Sequence, residues 1–233
     1  MTTGRSPVQS SFDFTGPPVR FDTIAVTSSN RSAVALLRDA ESWPFPAVCL
    51  VGPPKSGRTT LARCWALEHG AALLAPSDLS GLGESACREL AAGAVAFDPG
   101  DVLADETELL ELLNLAAESS GRILFTATAP PSVWQVDNRD LASRLVSMPL
   151  AELFAPDEDM ISARLEAGLS RHAADLPGDV ARFLVRRLKR SYEDIEECVK
   201  RLSGESVGGS GLTRGVARRA LEGMYGPPEE DDG

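Results

Sequence analysis

Ala47 Val48 Cys49 Leu50 Val51 Gly52 Pro53 Pro54 Lys55 Ser56 Gly57 Arg58 Thr59 Thr60 passes from a continuous apolar run, through a turn rich in glycine and proline, into residues with helical spacing. An apolar run of this length that ends at glycine reads as a strand buried on both faces. A helix is predicted from Thr59 to His69, with Leu61, Cys64, Trp65 and Leu67 on its apolar positions and Gly70 to stop it. The turn fits the phosphate-binding pattern G-x-x-x-x-G-K-[ST], except that Arg58 stands at the lysine position. Such a loop needs glycines so the backbone can curl round phosphate, amides at a helix start, and a hydroxyl for Mg²⁺. Gly52, Gly57 and Thr59 meet those needs, and Arg58 keeps the charge, although its planar fork does not replace a compact ammonium atom for atom. A plain Gly/Pro turn is the competing reading; the position between strand and helix favours phosphate. Pro53, Pro54, Lys55, Ser56 and Thr60 complete the expected nucleotide contacts.

Outward from this loop the alternation continues. Residues 71–75 are a possible second strand, and Ala94 Val95 Ala96 Phe97 is a third, delivering Asp98 at its carboxyl end. Residues 105–119 are leucine-rich and helical, with Gly121 as the expected terminator. Residues 122–126 form another strand, closed by Pro130 Pro131. Alternation of this kind implies a doubly wound α/β sheet through about Leu150. Asp98 downstream of a phosphate loop is placed to order a magnesium shell, so Thr59 and Asp98 are the candidate metal ligands. Pro99 follows it, carries no carboxylate and cannot orient an attacking water. Asp101 is out of register, so weak or absent intrinsic hydrolysis is expected.

Beyond Pro156 only helical patterns remain, over 157–172, 177–190, 191–202 and 212–224, with a Gly/Ser loop at 203–211. The organisation read from this is an arm (1–20), a nucleotide-binding α/β domain (21–153), a helical lid domain (154–225) and an acidic tail (226–233).

Composition bounds the function. The 233 residues are 43% hydrophobic and 24% charged, which fits a folded soluble domain and excludes collagen, coiled coil and wholesale disorder. A net charge of −11 makes the whole chain a poor non-specific DNA binder. Cys49, Cys64, Cys87 and Cys198 are too scattered for a zinc ribbon or a redox pair. No leader-like N-terminus and no run of ~18 apolar residues occurs, so a cytoplasmic protein with no membrane partner is expected.

A phosphate-loop domain followed by a small helical one resembles the AAA+ class. Within it the chain is similar to the bacterial replication initiator family of DnaA, and especially to its truncated Hda-type relatives. Val26 Thr27 Ser28 Ser29 Asn30 Arg31 Ser32 Ala33 resembles the family's segment bordering the adenine. Ile123 Leu124 Phe125 Thr126 Ala127 Thr128 Ala129 Pro130 Pro131 resembles its sensor-1 strand, which adds Thr128 to the nucleotide contacts. Asp140 Leu141 Ala142 Ser143 Arg144 Leu145 resembles the box holding the arginine finger. Glu193 stands near the sensor-2 arginine position, with Arg190 as a substitute. In the arm, Gln9 Ser10 Ser11 Phe12 Asp13 Phe14 resembles a clamp-binding peptide, with Gln9, Phe12 and Phe14 as anchors.

The resemblance implies a negative regulator of replication initiation that holds ADP or ATP with Mg²⁺. It implies docking on the DNA polymerase III sliding clamp, hence on DNA indirectly, near the nucleoid and replisome. Arg144 would act in trans on DnaA, and self-association is left open. The alternatives from other classes are a small-molecule P-loop kinase, for which only Asp98 and Asp101 offer a base, and a DNA-bound AAA+ loader or initiator-like protein. Arg182, Arg186, Arg187, Lys189 and Arg190 form a basic stretch that reads first as a solvated helix face.

Overall fold

The computed structural model describes residues 19–81, 83–99, 105–206 and 211–226. Gln9, Phe12 and Phe14 of the arm, and Asp101, lie outside the described residues. The chain divides into two compact units, one of residues 1–24, 30–53 and 57–153, the other of residues 25–29, 54–56 and 154–233.

The first unit is a parallel sheet of β1 (Ala47–Val51), β2 (Ala72–Leu74), β3 (Ala94–Phe97), β4 (Arg122–Ala127) and β5 (Leu150–Glu152). Its order is β2-β3-β4-β1-β5. The α/β class expected from the sequence is what the chain adopts. Helices α1 (Arg31–Arg38), α2 (Arg58–His69), α3 (Gly83–Ala91), α4 (Glu106–Ser119) and α5 (Arg139–Val146) belong to the same unit. Successive strand residues point to opposite faces, and both faces are apolar. Ala47 and Cys49 join Val95, Phe97, Ile123 and Phe125 in one core, with the Phe97 and Phe125 rings stacked at 5.4 Å. Val48 and Leu50 join Ala96, Leu124 and Trp65 in the other. Burial on both faces is why these strands read as unbroken apolar runs, each fully buried Leu or Phe contributing about 1.5–3 kcal/mol.

The order places the site. After β1 the chain crosses to β2 at one edge; after β4 it crosses to β5 beyond β1 on the other side. Connections that diverge in this way open a crevice at the carboxyl ends of the strands between them. Gly52, Asp98 and Thr128 each follow the carboxyl end of a central strand.

The second unit holds α6 (Glu158–Ser170), α7 (Gly178–Val185), α8 (Tyr192–Ser206) and α9 (Arg214–Tyr225) around a core that includes Leu165, Leu169, Leu184, Cys198 and Leu202. At Gly168 α6 packs tightly against α8, since a Cβ there would meet a Val199 methyl at 2.7 Å.

Several boundaries differ from the sequence reading. The predicted helix over 177–190 stops at Val185, and the next begins at Tyr192, because Ser191 N–H turns back to the Lys189 carbonyl while its hydroxyl accepts the Asp194 N–H. That next helix runs to Ser206, into the predicted loop. The second strand is only Ala72–Leu74. Helices α1, α3 and α5 and strand β5 had no counterpart in the sequence reading.

Candidate functional site

Gly57 caps α2 with φ +104, a left-handed conformation natural to glycine, and Lys55, two residues earlier, has φ +62. The helices α4, α5, α6 and α9 each carry a side-chain N-cap (Asp105, Asn138, Asp157 and Thr213); α2 has none. Its first intrahelical bond runs from Leu61 N–H to the Gly57 carbonyl, so the amides of Arg58, Thr59 and Thr60 stand ahead of the ladder. Such amides, together with the helix dipole, attract anions. Ser56 is buried, and its hydroxyl oxygen has no hydrogen-bond partner among the described residues. A buried polar atom without a partner is costly, and a phosphate oxygen would satisfy it. These features fit a nucleotide phosphate. Gly52 is buried and its N–H donates to the Ala127 carbonyl at 3.2 Å, while Pro53 is half-buried and Pro54 exposed. Thr59 is exposed at the helix start, and Arg58 and Thr60 are half-buried beside it.

Asp98 accepts a hydrogen bond from the hydroxyl of Thr126, a fully buried side chain on the neighbouring strand. Phe97 is paired with Phe125 in register, which sets Asp98 beside Thr126. The sensor-1 resemblance covers Thr126 without giving it a site role; its signal is a hydroxyl among the apolar residues of β4. Thr128 lies past the end of β4 and is exposed. Pro99 is exposed after a cis peptide bond from Asp98. Among the described residues no cluster of three or more His, Cys, Asp or Glu is arranged to hold a metal by itself.

In the second unit, Asp157 caps α6 and fastens the segment at 27–29. It accepts from the Met160 N–H at 2.7 Å, the Ser29 N–H at 3.0 Å and the Ser28 hydroxyl. Burial alone would raise its pKa, but these hydrogen bonds together hold the carboxyl below the usual carboxylate range. A depressed folded value means stability that is present above pH ~4 and lost as pH falls through it. Asp157→Ala is therefore expected to cost about 1–2 kcal/mol at pH 7. In urea melts the gap between parent and variant should narrow at pH 3; a gap that stays constant would refute the carboxylate's role. Nearby, the Arg164 guanidinium donates to the Ser56 carbonyl at 2.7 Å and lies 5.3 Å over the Tyr192 ring. Lys55 Nζ is 3.3 Å from Glu196.

Arg144 rides on α5, whose start is fixed twice. Asn138 accepts from the Asp140 and Leu141 amides, and the Glu106 carboxylate accepts from the Asp137 and Asn138 amides at 3.0 and 2.7 Å. Leu141 and Leu145 are fully buried and anchor the helix. Arg144 is half-buried on the flank, and its guanidinium makes no ion pair or hydrogen bond among the described residues. Val146 (60% exposed) is on the same helix, and Val133 (65% exposed) is on the turn that packs against it. Glu193 is exposed, and Arg190 is 3.6 Å from Glu158.

No protein-family model and no curated protein matches the chain. Solved structures match its fold. Domain III of the Thermotoga maritima replication initiation protein DnaA has 15% identity over 91% of this chain and 99% of that one, with a TM-score of 0.71. AMPPCP-bound DnaA from Aquifex aeolicus has 16% identity over 84% of this chain and 68% of that one, TM-score 0.66. A Thermotoga maritima RuvB variant has 18% identity over 91% and 75%, TM-score 0.64. The chain thus shares the fold of these proteins.

Proposed function

We propose that this chain is a nucleotide-holding AAA+ regulator that restrains replication initiation by completing the active site of an ATP-bound initiator of the DnaA type. The observation that carries the reading is Arg144, a half-buried residue on a doubly anchored helix, whose guanidinium has no acidic partner among the described residues. An arginine held in this way suits charge that develops on another molecule's phosphates. Likeness of fold to DnaA domain III supports the choice of partner, and exposed Val146 and Val133, on α5 and the turn packed against it, offer apolar area to bury on docking.

The chain's own nucleotide, ADP or ATP, would lie against the residues 52–60, with Thr128 close by and Thr59 and Asp98 sharing a Mg²⁺ ion. It would serve structure more than turnover. Asp98 is already engaged by Thr126, and Pro99 supplies no water-orienting carboxylate. Gln9, Phe12 and Phe14 would bind the sliding clamp, with the two rings filling an apolar pocket and the amide bonding at its rim. The clamp would bring the regulator to DNA-bound initiator.

The purified chain should retain a nucleotide through gel filtration yet turn ATP over far more slowly than the roughly 1 s⁻¹ of ordinary enzymes. Nucleotide extraction with chromatography, followed by a steady-state phosphate-release assay, checks both. Turnover at ordinary rates, or an empty loop at saturating nucleotide, would overturn the reading.

A further inference from the structure

The helical unit sorts its charges by helix. Residues 158–170 and 192–206 hold eight acids and three bases, whereas residues 178–190 and 214–225 hold eight bases and two acids. Two contacts set the second group side by side. Arg214 Nε meets Asp179 at 3.0 Å at one end, and at the other the Lys189 N–H donates to the Tyr225 hydroxyl at 3.2 Å, with Lys189 Nζ 4.7 Å over the ring. Helices α7 and α9 therefore run alongside each other in the same sense.

At 100° per residue, positions 214, 218, 221 and 225 fall within a wedge of roughly 60°. Both ends of that wedge touch the α7 side, so Arg218 sits on the edge facing α7. Positions 179, 182 and 186 fall within a similar wedge on the other helix, which brings Arg182 and Arg186 to the facing edge. Arg182, Arg186 and Arg218 are all exposed, and none makes an ion pair among the described residues. Of the two acids on these helices, Asp179 is taken by Arg214 and Glu222 pairs with none of the three, while Asp194 of α8 accepts the Tyr225 hydroxyl. Three like charges are thus held together between tied ends.

We propose that this α7–α9 edge binds the phosphate backbone of double-stranded nucleic acid, irrespective of sequence. Guanidinium forks match phosphate oxygens two at a time. A protein partner would need a desolvated apolar centre, and among the described residues the only large exposed apolar side chain on this edge is Tyr225, under Lys189. A single strand would need aromatic platforms for its bases, and the edge offers no free ring among the described residues. The surrounding negative charge of the chain makes the binding weak and steeply dependent on salt.

The test is fluorescence anisotropy of the full chain against two short DNA duplexes of unrelated sequence, titrated with salt. Both duplexes should bind equally, with Kd in the ~10⁻⁴–10⁻⁶ M range and a log–log salt slope near −3 for three neutralised phosphates, at about 0.9 each. Arg182→Gln, Arg186→Gln and Arg218→Gln together should weaken binding at least ~10-fold at low salt and flatten the slope. Arg38→Gln, a control on α1, should change neither. Thermal melts verify folding, and if the triple variant is misfolded, Arg186→Gln alone should lower the slope by about one. Unchanged affinity and slope in the folded triple variant would overturn the proposal. So would tighter binding of single strands, or binding of poly-glutamate without duplex, which would mark an acidic protein surface. Neither nucleotide, clamp nor initiator enters the assay, so its failure is separate from failure of the regulatory reading.

Discussion

Arg144→Ala is expected to abolish stimulation of the initiator's ATP hydrolysis while leaving the chain folded and its own nucleotide bound. The side chain reaches no acid among the described residues, and α5 is held by Leu141, Leu145, Asn138 and Glu106 rather than by Arg144. Truncation should therefore shift the melting temperature by no more than a surface substitution does, within about 0.5 kcal/mol. Across the interface the loss should be large, because arginine fingers contribute ~10³–10⁵-fold in rate. Arg144→Lys should rescue poorly, since an ammonium cannot span two phosphate oxygens. The assay mixes ATP-loaded DnaA, DNA-loaded clamp and this chain, and follows conversion of bound ATP to ADP. Full activity of Arg144→Ala would return the residue to an ordinary helix flank; loss of activity together with unfolding would show that α5 needs it for packing.

The parts of the fold that were legible in the sequence are those whose environment is uniform. β1, β3 and β4 are buried on both faces, so Ala47–Val51, Ala94–Phe97 and the run from Arg122 stand out as apolar blocks. β5 did not, because it is three residues long and exposes Leu150 and Glu152 at the sheet edge. Helix α7 was read too long because the apolar spacing of Val180, Leu184 and Leu188 continues past its end. What stops it is a local bond pattern at Ser191 that periodicity does not record.

The strand, turn and helix that carry the expected phosphate loop were legible because their signals are local in sequence. The Thr126–Asp98 hydrogen bond was not, since it depends on strand register between residues far apart in the chain. Gly121 was read for the wrong reason. The left-handed turn that ends α4 is made by Ser120, with φ +62, one residue earlier; what demands glycine at 121 is space.

That space sets the second large expected effect, Gly121→Ala. A Cβ at this position would stand 1.9 Å from the Ala91 carbonyl oxygen and 3.0 Å from that of Gly93. Both are backbone atoms, so no flexible side chain can swing away. They are also engaged: the Ser119 hydroxyl donates to the Ala91 carbonyl at 2.6 Å and the Arg122 N–H to the Gly93 carbonyl at 2.9 Å. Relief requires prying the turn after α3 away from the start of β4, at the cost of those hydrogen bonds and of the packing of α3 on α4. Overpacking and lost bonds together make about 3–5 kcal/mol. At 2–4 °C per kcal/mol for a chain of this size, the transition should drop by roughly 6–20 °C. Trp43, Trp65 and Trp134 all lie in the α/β unit, so tryptophan fluorescence reports unfolding of the unit that contains Gly121. Gly70→Ala is the control: its φ is +62 but a Cβ there meets nothing within 4 Å, so it should cost only the left-handed penalty of about 1–2 kcal/mol. Should the two alanine variants melt alike, contact with Ala91 would not be the reason for glycine at 121, and the tight approach of α3's end to β4 would not be a determinant of this fold.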